Sequence, residues 1–139
     1  YVARTLDETG YKPWRFMLLE VTHPLRPRGI IDQVISAGDG SGADSIITSH
    51  RIHYNFWRQD ERGHMKRIVG TGDRANVFLF QELIGICSIF TPRFLNTDNP
   101  FGEQVNVVPM DRFWATIDVR DDDGLWLAER YLERTGVKL

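Results

Sequence analysis

The segment from Asp44 to Arg58, DSIITSHRIHYNFWR, is rich in β-branched and aromatic residues and sets Ile52, Tyr54 and Phe56 at a period of two. That alternation predicts a β-strand. Upstream, Trp14 to His23 is a short apolar run that stops at Pro24-Leu25-Arg26-Pro27, where two prolines remove ladder donors. Arg28 to Ala37 reads as a second strand, closed by Gly38-Asp39-Gly40-Ser41-Gly42, whose glycines supply turn conformations. Downstream, Gln59 to Gly63 is a polar hairpin turn, followed by a shorter strand from His64 to Val69.

Asn76 to Phe90 is almost wholly apolar, so periodicity alone does not separate strand from helix. Val77 to Phe80 is read as a strand and Gln81 to Cys87 as a short helix lying on the sheet. Thr91 to Gly102 has loop chemistry, and Gln104 to Val108 and Arg112 to Arg120 read as closing strands. Asp121-Asp122-Asp123 offers carboxylates to the start of a helix from Leu125 to Thr135, with Gly136 as its stop. Residues 1 to 13 are polar and aperiodic, and read as a surface arm.

The chain has 139 residues, 42% apolar and 12% aromatic, enough for one core and too few for two ordinary domains. Its formal charge of -2 gives no bulk attraction for nucleic acid, and none is expected as a partner. One cysteine, Cys87, excludes an intrachain disulfide. No apolar run approaches the roughly 20 residues needed to span a bilayer, so a soluble chain that does not cross the membrane is expected. Its first residue, Tyr1, leaves open a processed chloroplast or mitochondrial protein.

Several residue groups invite chemistry and have plainer explanations. His50 and His53 are three apart on a strand and therefore face opposite sides, which prevents a shared metal. Cys87 lies in an apolar run that disfavours a thiolate. Gly70-Thr71-Gly72-Asp73-Arg74-Ala75 matches a degenerate dinucleotide fingerprint but reads better as a turn between antiparallel strands, because no acidic strand end follows it at the right interval. Asp39, Asp44 and the aspartates at 121 to 123 lack the pattern of a calcium loop. Trp14, Trp57, Trp114 and Trp126 are read as core rings, with stacking on a ligand as the alternative. No metal, cofactor or confident catalytic residue follows from these patterns.

Gly29 to Gly40, with Val34-Ile35-Ser36-Ala37-Gly38-Asp39-Gly40 at its end, and His53-Tyr54 after it resemble the opening of the FKBP-type peptidyl-prolyl isomerase domain. Val77 to Phe80, Glu82 to Ile84, Thr91 to Phe94 and Pro109 with the Phe113 to Val119 run look similar to later segments of that family. The resemblance implies an α+β fold, a twisted antiparallel sheet wrapped around a short helix, over residues 29–120. Residues 1–28 then form an N-terminal arm and strand, and 121–139 an extra C-terminal helix. It also implies a proline pocket built on Tyr54, Phe80, Leu83, Ile84 and Phe94. Met65, Lys66 and Arg67 stand where the family carries a Phe-Asp pair, and no tryptophan lies near Ile86, so most of the family's aromatic box is missing. The expectation is a non-catalytic binding or scaffold subunit of a larger, organellar assembly, with a protein or proline-containing peptide as partner. An active isomerase or chaperone is the alternative.

Overall fold

A computed structural model describes residues 1–52, 56–68 and 79–136. At its centre is β2 (Ser45–Ile52), which takes only the first part of the strand expected over Asp44 to Arg58; Trp57 and Arg58 belong to a second, separate sheet. Ser45, Ile46, Thr48 and Ser49 are all buried on it, so the strand is covered on both faces, which explains its unbroken run of small and β-branched residues. Along one edge β2 pairs antiparallel with β5 (Leu79–Glu82) and then with β6 (Ser88–Phe90); along the other it pairs parallel with β7 (Val105–Met110). β1 (Phe16–Leu18) completes the sheet outside β6, Phe16 stacking on Phe90 at 5.5 Å. A separate hairpin joins β3 (Trp57–Gln59) to β4 (Met65–Arg67). Its turn is built as its polar residues suggest: Asp60 Oδ1 accepts from the backbone N–H groups of Arg62 and His64, each at 2.9 Å.

The α+β class and the C-terminal helix are present, but the sheet is mixed, because β7 runs parallel to β2. The wrapped antiparallel sheet of the FKBP type is therefore corrected. The correction begins at Arg28 to Ala37, which forms a helix, α2 (Ile30–Gly38), and not a strand. Ile30, Ile31, Val34 and Ile35 fall at i, i+1, i+4 and i+5, a helical pattern that the β-branched composition hides, and Ile30, Val34 and Gly38 are buried. The helix lies on β2, β6 and β7, and Gly38 lets it approach closely: a Cβ there would stand 3.1 Å from Ile46 Cδ1.

Three other segments differ from expectation. Residues within the N-terminal arm form α1 (Val2–Thr9), ended by Gly10 in the left-handed conformation. Leu83 to Cys87 is a turn between strands, not a helix. Phe113 to Thr116 is a 3-10 turn, not part of a strand; it gives up alternation so that Ala115 enters the core. The final helix, α3 (Asp122–Thr135), starts where the aspartates place it, the Asp121 side chain accepting from Gly124 N–H at 2.8 Å. Trp114 packs against Tyr131 of α3, with ring centroids 5.4 Å apart. The core gathers Ile30, Val34, Ile46, Ile86, Cys87, Ile89 and Met110 between α2 and the sheet. Among the described residues no helix is long and apolar enough to cross a membrane.

Asp44, at the entry to β2, anchors the loop that leads into β7. Its Oδ2 accepts from the backbone N–H groups of Glu103 at 2.9 Å and Gln104 at 3.1 Å, and Arg93 donates to Oδ1 at 2.6 Å. The Gln104 N–H is the main stabiliser of the charged form; burial opposes it, and Arg93 and Glu103 tip the balance, so the carboxyl is held below its ordinary value. A folded pKa below the unfolded one gives stability that is present above the usual carboxylate range and is lost as pH falls through it. Asp44→Asn is therefore expected to lower the urea midpoint more at pH 7 than at pH 3. An equal deficit at both pH values would remove the charge from this account.

Candidate functional site

The sheet edge facing β5 and β6 contains one irregularity that makes a site. Ile47 pairs with Ser88 and Ser49 with Glu82, so the whole of Leu83 to Cys87 loops out opposite Thr48 alone. Thr48 pins the start of the excursion twice: its carbonyl accepts from Leu83 N–H at 2.9 Å, and its hydroxyl donates to Leu83 C=O at 2.6 Å. Arg26 pins the end, donating through Nε to Ile86 C=O and through Nη2 to Glu20 C=O at 2.9 Å and Gly85 C=O at 3.4 Å. Glu20 N–H also donates to Gly85 C=O at 2.8 Å, which sews the segment after β1 to the excursion.

The space beside this excursion is a concavity of about 390 Å³. One wall is apolar, made by Leu18, Leu83 and Ile84. The other is polar and is assembled from residues distant in sequence: Glu20 and His23 after β1, Glu82 at the end of β5, and Asp118 and Arg120 before α3. Val119 N–H donates to Thr22 C=O at 2.7 Å, which fixes the last of these segments against the first. Arg120 links two carboxylates, reaching Glu20 Oε2 at 2.9 Å and Asp118 Oδ2 at 2.5 Å. His23 is 5% exposed, with Nδ1 at 3.3 Å from the Thr22 hydroxyl and 3.9 Å from Asp118 Oδ1.

Burial works against the charge on Asp118, but Arg120, Thr22 and His23 outweigh it, and the carboxyl is held below its ordinary value. Arg120 is correspondingly raised by the Asp118 hydrogen bond and charge and by the Glu20 charge. A carboxylate and a guanidinium are thus both charged beside a buried imidazole. Such a group can orient a hydroxyl-bearing ligand and accept a proton from it. Among the described residues no group of three His, Cys, Asp or Glu is placed to hold a metal ion.

Of the residues singled out from sequence, the described ones fall at several places in the fold. Tyr54 lies outside the described residues, as do His53, Phe78 and the Gly70 to Ala75 fingerprint. Leu83 and Ile84 line the concavity, whereas Phe80 is 45% exposed on β5 and Phe94 sits in a 3-10 turn under the Arg93 guanidinium, 4.5 Å away. Cys87 is fully buried, which pushes its thiol pKa up. His50 Nδ1 is 3.0 Å from Met110 C=O, in the sheet. Trp14, Trp57 and Trp126 are exposed, and Trp114 is partly buried. Sequence reading missed Glu20, His23, Asp118 and Arg120. The Thr22-His23-Pro24 break after an apolar run and the Asp118-Val119-Arg120 stretch ahead of a helix cap were the available signals.

Gly85 tests this geometry. A Cβ at that position would lie 2.6 Å from Glu20 Oε2 and 2.8 Å from His23 Nδ1. Glu20 has room to swing away, but His23 is packed. Gly85→Ala is expected to cost about 1–3 kcal/mol, as overpacking does elsewhere, and to part Glu20 from Arg120. The urea midpoint measures the first effect, and a cost within about 0.5 kcal/mol of zero would mean that the wall yields freely.

No family model matches the sequence, and no curated protein sequence matches it. Solved structures do. The crystal structure of 4-diphosphocytidyl-2C-methyl-D-erythritol synthase from Anaerococcus prevotii DSM 20548 superposes with a TM-score of 0.64 at 14% identity, over 94% of this chain and 65% of that one. A second 4-diphosphocytidyl-2C-methyl-D-erythritol synthase gives 0.56 at 12% identity, over 94% of this chain and 63% of its own. The chain spans just under two thirds of these neighbours. These likenesses overturn the FKBP resemblance, and with it the scaffold, isomerase and rotamase readings. The segment that carried the resemblance, Gly29 to Gly40, is mostly helix and turn, so its match was to residue types and not to a shared strand. The fold of this chain is the one those synthases share.

Proposed function

We propose that this chain is part of a nucleotidyltransferase-like synthase that joins a nucleotide to a polyol, and that the concavity beside Leu83 to Cys87 seats the polyol substrate. The observation that carries the reading is the convergence of Glu20, His23, Asp118 and Arg120 on one cavity in a fold shared with synthases whose name specifies a diphosphocytidyl polyol.

In this reading His23 acts on the polyol. The Thr22 hydroxyl and the Asp118 carboxylate stand 3.3 Å and 3.9 Å from Nδ1, and the ring meets a hydroxyl of the substrate in the cavity. Arg120 bonds both Glu20 and Asp118 and fixes the two carboxylates side by side as hydrogen-bond acceptors. Leu83 and Ile84 pack against the carbon skeleton and exclude water from one side of it. The transfer itself breaks the bond between the α- and β-phosphates of a nucleoside triphosphate, forms a bond from a phosphate oxygen of a polyol phosphate to the α-phosphorus, and releases pyrophosphate.

The test is pyrophosphate release from cytidine triphosphate by the natural protein carrying these residues, with polyols and polyol phosphates offered as acceptors. Acceptor-dependent release is expected, with His23→Ala lowering kcat/KM for the acceptor by about tenfold, the loss of one hydrogen bond to the substrate. Release that needs no polyol, or that His23→Ala leaves unchanged, would refute the assignment.

A further inference from the structure

We infer that Asp39 is a modification site, where aspartate converts spontaneously to isoaspartate in the folded protein, and that Asp123, in the same dipeptide, is protected. The chain contains Asp-Gly twice, at Asp39-Gly40 and Asp123-Gly124. The chemistry open to both is the same. The glycine nitrogen forms a bond to the aspartate Cγ, and the N–H proton leaves with the hydroxyl of the protonated carboxyl as water, which closes a five-membered succinimide. Water then adds at one of the two ring carbonyls and breaks the bond from that carbon to nitrogen. Addition at Cγ restores aspartate; addition at the backbone carbon leaves the chain running through Cγ, as isoaspartate, with a free α-carboxylate. Water is the only co-reactant. Glycine favours the closure because it brings no Cβ to shield the attacking nitrogen.

What separates the two sites is the freedom to turn the peptide unit between the residues. Asp39 has φ −68° and ψ 120°, Gly40 has φ 67°, and Ser41 N–H donates to Gly38 C=O at 3.4 Å, so residues 38–41 form a type II turn. At this ψ the Gly40 nitrogen points away from the Asp39 side chain, and the ring closes only after the planar unit between them rotates. Rotation about Asp39 ψ and Gly40 φ together carries a type II turn toward type I and leaves its ends in place, and glycine accepts either sign of φ. Among the described residues neither Asp39 C=O nor Gly40 N–H is hydrogen-bonded, both residues are exposed, and a Cβ on Gly40 would meet nothing within 4 Å. The ends, by contrast, are fixed. Arg15 donates to Gly38 C=O at 3.3 Å and to Ala43 C=O at 2.7 Å, and the Ser41 hydroxyl donates to Gly38 C=O at 3.1 Å. The turn can therefore flip its centre without unfolding. Asp123-Gly124 has no such freedom. It lies in the first turn of α3, where Gly124 N–H, the nitrogen that would have to attack, donates to Asp121 Oδ1 at 2.8 Å. Gly124 is buried, and a Cβ on it would collide with the Asp118 carbonyl, so turning this peptide would break the helix cap against packed backbone.

The experiment ages the folded natural protein at mildly acidic pH in water enriched in oxygen-18. Each passage through the succinimide leaves one heavy oxygen in the residue, and electron-transfer fragmentation of the proteolytic peptides distinguishes isoaspartate from aspartate at each position. Heavy oxygen and isoaspartate are expected to accumulate at least tenfold faster at 39 than at 123. In urea, where turn and helix are both lost, the two rates are expected to become comparable. Asp39→Asn and Asp123→Asn give a second reading, because the same closure then expels ammonia and changes the intact mass: the first variant is expected to deamidate at least tenfold faster than the second. Equal rates at the two positions in the folded protein, or no isoaspartate at 39, overturns the inference. A tenfold difference that persists in urea also overturns it, since the protection of Asp123 would then come from its sequence neighbours and not from the helix.

Discussion

The structure depends on the paired hydrogen bonds between Thr48 and Leu83. A strand running beside β2 without interruption would satisfy its backbone by continuing the ladder. Here it leaves the ladder at Leu83 and returns at Ser88, so the backbone groups of the excursion must find other partners. Thr48 supplies them at the point of departure with its carbonyl and its hydroxyl, while Arg26 collects carbonyls at the far end. Threonine suits the position for two reasons: its β-branched carbon is at home in a central strand, and its hydroxyl reaches a carbonyl that the interrupted ladder has left without a donor. The cavity is the volume opened by this departure.

Arg26 has a different physical role from Arg120, although both are guanidinium groups close to the same cavity. Arg26 spends its N–H groups on three carbonyls of neutral peptide groups, so it builds the wall. Arg120 spends its own on two carboxylates, so it sets the charge of the site without building any of it. The planar fork of arginine serves both tasks, and lysine would reproduce the charge of either and the geometry of neither.

Much of the sheet was legible in the sequence because its strongest signals are local. β2 announces itself by its β-branched residues, the β3–β4 hairpin by Asp60 and Gly63, and α3 by its aspartate cap and Gly136. α2 was not legible by the same criterion, since Ile30, Ile31, Val34 and Ile35 favour strands by type while their spacing is that of a helix. Spacing wins because residues 30, 31, 34 and 35 gather on one side of a helix, whereas a strand would divide them between its two faces. The parallel pairing of β7 was invisible for another reason: the direction of a strand follows from the path of its connection, and Thr91 to Gly102 carries only the chemistry of a loop.

The candidate site was less legible still, because the contacts that create it join residues about a hundred positions apart. Glu20 and Arg120 each read alone as an exposed charge, and Asp118 as one more acidic residue near a helix cap. What unites them is the backbone bond from Val119 to Thr22, which neither segment advertises. The Val-Ile-Ser-Ala-Gly-Asp-Gly string shows the opposite case, a distinctive local match with no shared topology behind it. Its glycines and aspartate specify a chain reversal, and reversals of that kind follow helices as readily as strands. In this chain the string therefore determines where α2 ends and where β2 can begin, and the chemistry is left to segments that pair across the whole length of the fold.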